Sequence, residues 1–262
     1  MPSPQAATRA RVKGVVVETE QGWFCLDPDE QFVSKSLLES GAYGLGEIEQ
    51  ARQFCDAGSR VLVVGAHIGT VAIPLARSCE ELVAIEANPQ TYEFLELNVA
   101  INRGFNILTH NVAASEREAP VEFVMNTVNS GGSKRMPLHR DHVYFYDNPR
   151  VATVPGVRLD DLLPAERFDL VFMDIEGSEY YAFLGMPRIL AGAKTLIVEF
   201  LPHHLSRVAG VTVEQFLSPL AAHFSALTVP STGRQAGRKE FLGVLQRMFD
   251  DNQGDAGIIF QK

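Results

Sequence analysis

The 262-residue sequence predicts an α/β fold in which a doubly wound, mostly parallel β-sheet is covered by helices on both faces. Three observations predict this class. Short apolar runs without polar alternation indicate strands that are buried on both sides. Segments with helical patterns separate these runs, as in a parallel sheet with crossover helices. No internal repeat or Pro/Ser-rich linker divides the chain, and its hydrophobic fraction of 46% is sufficient for one large core.

The predicted strands and helices follow each other in a regular order. The parallel strands are expected at residues 61–64, 82–85, 106–111, 170–173 and 195–199. Residues 225–229 and 257–260 are expected to complete the sheet, one of them as an antiparallel strand. Helices are expected at residues 47–55, 70–78, 89–102, 180–190 and 213–223. In such a sheet, ligands bind beyond the carboxyl ends of the strands, so the residues that follow each strand are the candidate site residues.

Two segments lie outside this alternation. Residues 15–26 predict an antiparallel hairpin, so we interpret residues 1–46 as an N-terminal extension and residues 47–262 as the ligand-binding domain. An insert of about residues 115–158 is too long for one crossover, and we interpret it as a flap over the ligand face. Its polar segment 129–135 contains Gly131 and Gly132. We expect this segment to have few apolar anchors and to become ordered when ligands bind.

Composition argues against several classes of protein. The net charge of −9 disfavours nucleic-acid binding, because such proteins usually carry a basic surface. The densest basic clusters, Lys134-Arg135 and residues 234–239, are expected in solvated loops. No apolar run reaches the roughly 18–20 residues that cross a bilayer. The three cysteines are widely spaced, which disfavours a disulfide framework or structural zinc and favours a reducing, cytoplasmic location.

A glycine-bounded loop follows the first predicted parallel strand. Gly65 permits a tight turn and the close approach of a ligand, and Gly69 allows the following helix to pack near the strand. Glu86 ends the next strand, where a carboxylate accepts hydrogen bonds from a ribose diol. The dinucleotide fingerprint G-x-G-x-x-G is incomplete in both frames that contain Gly65. The loop therefore favours S-adenosylmethionine as the ligand, with a nicotinamide dinucleotide as the alternative.

Five motifs occur in order along the chain. They are Gly65-Ala66-His67-Ile68-Gly69, Ala84-Ile85-Glu86-Ala87-Asn88-Pro89, Asn98-Val99-Ala100-Ile101-Asn102, Leu159-Asp160-Asp161-Leu162 and Asp174-Ile175-Glu176-Gly177-Ser178-Glu179. Together they resemble the FkbM family of S-adenosylmethionine-dependent methyltransferases. The resemblance implies the class I methyltransferase fold, which has a seven-stranded sheet. The sequence departs from the family pattern at Val63, where an acidic residue is common, and at His67, where Asn is common.

The resemblance also implies a set of cofactor-binding residues. Glu86 would bind the ribose hydroxyls, Asn111 and Val112 would border the adenine, and Asp174 would face the methionine end. Tyr43 and Glu47 would belong to a loop that closes over that end. The full set is Tyr43, Glu47, Gly65, Ala66, His67, Gly69, Glu86, Ala87, Asn111, Val112 and Asp174.

The acceptor end of the site is expected where acidic and histidine residues follow two inner strands. The candidates are Asp174, Glu176, Glu179, His203 and His204, and Glu199 ends the strand before the histidines. One of them is the general base for a hydroxyl acceptor, the acids hold a divalent cation, or the acids serve structural roles such as helix capping. The sequence leaves these three alternatives open.

These observations predict an enzyme that methylates a hydroxyl group of a small-molecule or saccharide acceptor, with S-adenosyl-L-methionine as donor. The alternatives are a Rossmann-type NAD(P)-dependent oxidoreductase and a catalytically inactive S-adenosylmethionine-binding protein. We expect neither a nucleic-acid partner nor a membrane partner. The oligomeric state stays open, with a homodimer among the alternatives.

Overall fold

The computed structural model describes residues 12–164 and 167–262. Within this part of the chain the strands are β1 (Val15–Thr19), β2 (Gly22–Leu26), β3 (Arg60–Val64), β4 (Glu81–Ile85), β5 (Ile107–His110), β6 (Ala113–Ala114), β7 (Ala119–Met125), β8 (Lys134–Arg135), β9 (Arg150–Val157), β10 (Leu170–Met173), β11 (Thr195–Phe200), β12 (Ala226–Val229), β13 (Arg234–Gly237) and β14 (Asp255–Gln261). The α-helices are α1 (Val33–Ser40), α2 (Leu45–Arg52), α3 (Ala72–Ala76), α4 (Pro89–Ile101), α5 (Leu159–Leu162), α6 (Glu179–Leu184), α7 (Pro187–Gly192), α8 (Val213–Leu217) and α9 (Phe241–Asp250).

The central sheet has the strand order β5-β4-β3-β10-β11-β14-β12-β13. The pairs from β5 to β11 are parallel, and β14 runs antiparallel to both of its neighbours. The prediction of a doubly wound, mostly parallel sheet is therefore confirmed. The winding reverses between β3 and β10, so the carboxyl ends of these two strands border the crevice in which ligands bind.

The sheet has one strand more than the seven that were predicted. The additional strand, β13, pairs antiparallel with β12 at the edge of the sheet. Among its four residues only Ala236 is buried. The segment therefore lacks the apolar run by which the other strands were recognised, and a local pattern could not reveal it.

Both faces of the sheet are buried. Along β3, Leu62 and Val64 pack into one hydrophobic cluster, and Val61 and Val63 pack into another on the opposite face. Successive side chains of a strand point to opposite faces, so a run of apolar residues is what two covered faces require. Val63 is fully buried. The position that often carries an acid in the family is thus a core position in this chain.

The N-terminal hairpin packs against α4. The Asn98 side chain accepts a hydrogen bond from the Cys25 amide at 2.6 Å. One turn later Asn102 accepts from the Trp23 amide at 3.0 Å and donates to its carbonyl at 2.6 Å. Two asparagines four residues apart lie on one helix face, so the family motif 98–102 joins β2 to the helix. Residues 1–11 of the predicted N-terminal extension lie outside the described residues.

The insert forms a second sheet with the order β6-β9-β7-β8. Its long antiparallel pair joins β7 to β9, from Ala119 opposite Gly156 to Met125 opposite Arg150. A 3₁₀ turn covers His142–Tyr144. The strand that pairs with β7 lies later, at β9, where Pro155 and Gly156 weaken the sequence signal for a strand.

The single helix expected at residues 180–190 is two helices, α6 and α7. The break lies at Gly185 and Met186, directly before Pro187 at the start of α7. A proline disfavours helical backbone in the preceding residue, which accounts for the interruption. Among the described residues, no helix combines the length and the apolar character needed to cross a bilayer.

Candidate active site

A cavity of about 190 Å³ lies at the carboxyl ends of β3, β4 and β10, between the start of α2 and the insert sheet. Most of the residues predicted from the sequence border it. The lining includes Tyr43, Glu47, Gly65, Ala66, His67, Glu86, Ala87, Val112, Asp174 and Glu176. The predicted residues Gly69, Asn111, Glu179, His203 and His204 do not border it.

The two glycines of the loop serve the packing of the fold. Gly65 has φ +89°, and a Cβ atom there would lie 1.7 Å from the carbonyl oxygen of Asp174. The ends of β3 and β10 can therefore approach each other only if this residue has no side chain. Gly69 has φ +96°, and its Cβ would lie 2.8 Å from Ile73 Cδ1. These contacts explain both glycines without a direct contact to a ligand.

His67 connects the glycine loop to its surroundings. Its backbone is left-handed, with φ 51°, a conformation that His and Asn tolerate better than most residues. This tolerance explains how His67 can stand where the family often has Asn. The His67 amide donates to Glu86 Oε2 at 2.8 Å, and its Nε2 lies 2.8 Å from Ser130 Oγ in the insert. Burial lowers the pKa of His67 to about 4, so the imidazole is neutral near pH 7.

Glu86 presents a carboxylate to the cavity from the end of β4. Its two oxygens accept hydrogen bonds from the amides of His67 at 2.8 Å and Asn88 at 2.7 Å. Burial raises the pKa of Glu86 to about 7, although these amide donors oppose the shift. Each carboxylate oxygen can accept a second hydrogen bond. The carboxylate can therefore bind a diol while the backbone amides hold it in place.

Asn111 holds the backbone that follows β4 in place. Its side-chain amide donates to the carbonyl oxygens of Glu86 at 2.8 Å and Ala87 at 3.3 Å. These bonds fix the chain that carries the Glu86 carboxylate. Of the two residues predicted to border the adenine, only Val112 lines the cavity, together with Ala113.

Asp174 directly follows β10 and borders the cavity next to Gly65. Its Oδ1 is buried and has no hydrogen-bond partner among the described residues. Burial raises the pKa of Asp174 well above its usual range, and the charges of Glu176 and Glu179 add to this effect. A buried carboxylate oxygen without a donor is rare in proteins, so this atom is available for a hydrogen-bond donor of a ligand.

The loop before α2 carries Tyr43, which also lines the cavity. Its backbone is held by Gln21, which accepts from the Tyr43 amide at 2.6 Å and donates to its carbonyl at 2.7 Å. Burial and the nearby charges of Asp174 and Glu47 raise the pKa of Tyr43 to about 12. The phenol therefore stays protonated and able to donate a hydrogen bond.

Four polar side chains form a network beside Asp174. Lys134 Nζ lies 2.6 Å from Glu176 Oε2 and 3.2 Å from His204 Nε2. His204 Nδ1 lies 3.3 Å from Glu199 Oε2. Burial, together with the charge of Lys134, lowers the pKa of His204 to about 2, so its ring is neutral. A neutral imidazole has one N–H, so Nε2 accepts from Lys134 while the Nδ1–H donates to Glu199, and His204 links these two residues.

Two predicted catalytic residues have other surroundings. Glu179 Oε1 accepts hydrogen bonds from the amides of Ile175 at 3.1 Å and Gly177 at 3.2 Å. These bonds close the turn after β10, which favours the structural alternative for this acid. His203 is exposed, and its ring is stacked on Tyr144 with 6.4 Å between the ring centroids. Neither side chain contacts the cavity.

The insert contributes residues that the sequence did not assign to the site. We expected Lys134-Arg135 in a solvated loop, but Lys134 is only 4% exposed and Arg135 borders the cavity. For residues 129–135 we expected few apolar anchors, and polar contacts hold part of the segment. Ser133 Oγ lies 3.2 Å from the Asn88 side chain and donates to the Ser130 carbonyl at 2.7 Å.

The acidic residues also have a spacing that suits a cation. One carboxylate oxygen from each of Asp174, Glu176 and Glu199 lies within 4.8 Å of the other two. Hard divalent cations prefer such oxygen ligands. A divalent cation at this cluster stays a prediction, and the ammonium of Lys134 already contacts one of its three acids.

The fold and the site together define a class I S-adenosylmethionine-dependent methyltransferase. The sheet has the strand order of this class, including an antiparallel strand next to β11, and the cavity lies at its topological switch point. The model of the methyltransferase FkbM domain matches residues 64–239. The chain belongs to this family. Membership removes the NAD(P)-dependent oxidoreductase from the alternatives.

Several solved structures are similar to the chain at low sequence identity. A TehB-like SAM-dependent methyltransferase from Corynebacterium glutamicum has 11% identity and a TM-score of 0.49, with 87% of this chain and 93% of that chain covered. Trm5b from Pyrococcus abyssi has 12% identity and a TM-score of 0.45, with 96% and 56% covered. TYW2 from M. jannaschii, solved in complex with AdoMet, has 16% identity and a TM-score of 0.40, with 73% and 64% covered. No curated protein matches the chain.

The residues of the cavity fit S-adenosylmethionine. The Glu86 carboxylate can accept from ribose hydroxyls, and Val112 and Ala113 offer an apolar side for an adenine. The unpartnered Asp174 Oδ1 can accept from an ammonium group or a hydroxyl group. Gly65 and Ala66 have little side-chain bulk, which leaves room for a ligand beside the backbone of this loop.

Proposed function

We propose that this protein transfers the methyl group of S-adenosylmethionine to a hydroxyl oxygen of a small-molecule or sugar acceptor. The observation that carries the proposal is that Asp174, with its unpartnered carboxylate oxygen, borders the same cavity as Glu86. A base thus lies within the cavity that would hold the donor. Unactivated hydroxyl groups require such a base, because their proton must leave as the new bond forms.

The two ends of the cavity have different tasks. Glu86, Val112 and Ala113 bind the nucleoside part, and Tyr43 and Glu47 line the cavity near Asp174. When bound, S-adenosylmethionine supplies a methyl group that is already activated for displacement. The contribution of the protein is then to hold the acceptor oxygen in line with that methyl group and to keep water out.

Asp174 is the residue to which we assign proton removal. Its raised pKa brings the carboxylate nearer to the range in which it accepts a proton efficiently at neutral pH. Glu176 is a less suitable base, because its Oε2 is engaged by Lys134 at 2.6 Å. As the acceptor oxygen bonded to the methyl carbon, the carbon–sulfur bond of the donor would break and the hydroxyl proton would pass to Asp174, which leaves a methyl ether and S-adenosylhomocysteine as products.

The assignment can be tested with a library of hydroxyl acceptors and labelled donor. Asp174→Asn should lower kcat by about a hundredfold, the usual contribution of a positioned base. Glu176→Gln and His204→Asn should lower kcat and leave the affinity for S-adenosylhomocysteine nearly unchanged. Glu214→Gln, which changes an exposed acid on α8, is the matched control.

Several results would contradict the proposal. Methylation at nitrogen or carbon in place of oxygen would refute the hydroxyl acceptor. Wild-type rates in all three variants would refute the catalytic role of the cluster. Cofactor binding without turnover of any acceptor would favour the inactive binding protein.

A further inference from the structure

The ammonium group of Lys134 is buried at the junction of the two sheets. Lys134 belongs to β8 of the insert, where it lies opposite Val124 of β7. Its neighbour Arg135 borders the cavity, and Lys134 points to the other side of the strand, as alternation requires. The Lys134 side chain is 6% exposed, and Glu176 lies 2.6 Å away in the loop after β10.

A buried lysine is destabilising unless its charge and its donors are matched. Lys134 finds its counter-charge in Glu176 and a second acceptor in His204 Nε2, at 3.2 Å. Its Nζ also lies 5.0 Å from the centre of the Tyr144 ring, within the range of a cation–π contact. Three elements distant in sequence therefore converge on one ammonium group, and this convergence fixes its place.

That place is beside three acids that repel each other. Asp174, Glu176 and Glu199 each bring one oxygen within 4.8 Å of the other two. Burial raises the pKa values of Asp174 and Glu199, the charges of neighbouring acids add to this effect, and the charge of Lys134 opposes it. A positive charge beside these three oxygens offsets part of their mutual repulsion, and the protein supplies one from the insert.

We propose that Lys134 is a positioning residue that takes the place of a divalent cation beside Asp174, Glu176 and Glu199. It holds Glu176 and His204 in their orientations and ties the insert sheet to the carboxyl end of the central sheet. This inference rests on the proposed function, because it concerns the acceptor end of the same site. It implies that methyl transfer proceeds without an added divalent ion.

A titration with Mn²⁺ tests the inference without knowledge of the acceptor. Lys134→Met removes the charge and keeps most of the apolar length, and Lys134→Arg keeps the charge. We expect Lys134→Met to bind one Mn²⁺ per chain at least about tenfold more tightly than the wild type. The reason is that the three acids no longer have the ammonium group of Lys134 beside them. Lys134→Arg should behave as the wild type does. Adding Asp174→Asn to Lys134→Met should abolish the new binding.

Lys194→Met is the matched control. Lys194 pairs with Asp169 at 2.8 Å, and the two residues precede β11 and β10 at the opposite edge of the sheet. Its side chain is 77% exposed. The substitution removes the same charge from a lysine–carboxylate pair that is far from the cavity, so Mn²⁺ affinity should stay at the wild-type level.

The outcomes separate the inference from the proposed function. Mn²⁺ binding by the wild type that Asp174→Asn removes would overturn the inference, and so would a folded Lys134→Met variant without increased affinity. If Lys134→Met fails to fold, the wild-type titration still decides.

Once an acceptor is known, activity assays give a second readout. Wild-type activity should persist in EDTA. Lys134→Met should lower kcat more than it changes KM, and Lys134→Arg should partly restore kcat. Failure of every acceptor would refute the proposed function and leave the Mn²⁺ result standing.

Discussion

The imidazole Nε2 of His67, in the loop after β3, lies 2.8 Å from the hydroxyl oxygen of Ser130 in the insert. The same residue donates its amide to Glu86. One side chain and its backbone therefore connect the carboxylate at the end of β4 with the segment that covers the cavity. Because His67 is neutral near pH 7, this contact is an ordinary hydrogen bond and carries no charge.

Loss of this contact should loosen the insert. We expect Ser130→Ala to speed amide exchange in residues 129–133 in the ligand-free protein, because one anchor of the segment is gone. S-adenosylhomocysteine should bind more weakly by about 1 kcal/mol, the usual effect of one hydrogen bond. Ser218→Ala is the control, since that hydroxyl donates to the Gln215 carbonyl within its own helical region. Equal exchange in Ser130→Ala and the wild type would contradict the anchoring role.

Glu86→Ala should weaken S-adenosylhomocysteine binding by about 1–3 kcal/mol, because the ribose hydroxyls lose their acceptor. The fold should survive, since the residue ends its strand at the cavity, and circular dichroism would verify this. Glu80→Ala, an exposed acid directly before β4, should leave the affinity unchanged. Calorimetry gives both values, and unchanged affinity in folded Glu86→Ala would refute the ribose assignment.

The raised pKa of Glu86 makes its effect on stability depend on pH. The folded protein holds this proton up to about pH 7, whereas the unfolded chain releases it near the ordinary value of 4.5. The stability that Glu86 contributes is therefore present below 4.5 and lost as the pH rises through about 7. Glu86→Gln resembles the protonated form at every pH. Its melting temperature relative to the wild type should rise between about pH 5 and about pH 8. A constant difference would contradict the shifted pKa.

Gly65→Ala should destabilise the protein by more than about 2 kcal/mol, because the new Cβ would overlap the Asp174 carbonyl and the positive φ disfavours a side chain. Gly243→Ala provides the contrast, since nothing lies within 4 Å of its Cβ position on α9. That substitution should stabilise the protein by up to about 1 kcal/mol through helix propensity. Urea unfolding measures both, and equal midpoints for Gly65→Ala and the wild type would show that the strand ends tolerate separation.

The sequence by itself determined the inner strands of the central sheet and the edge of the sheet at which the cavity lies. β3, β4, β10 and β11 are short apolar runs whose two buried faces impose the pattern that identifies them. Glu86 and Asp174 each follow such a run, and the carboxyl ends of parallel strands meet at one edge, so their location followed from chain order. Strands without this pattern, such as β13 and β9, were not recognisable because their pairing depends on neighbours that are distant in sequence.

Only the tertiary structure decided which side chains beyond that edge of the sheet contact each other. Lys134 and Glu176 are 42 positions apart, and Lys134 and His204 are 70 apart. No local pattern distinguishes a lysine that will be buried against an acid from one in a solvated loop. The fold also decided that Asn111 braces the backbone and that Glu179 closes a turn, while both were expected to contact ligands. The physical reason is that strand patterns record the local requirement for burial, whereas hydrogen bonds and ion pairs join groups that meet only after the chain has folded.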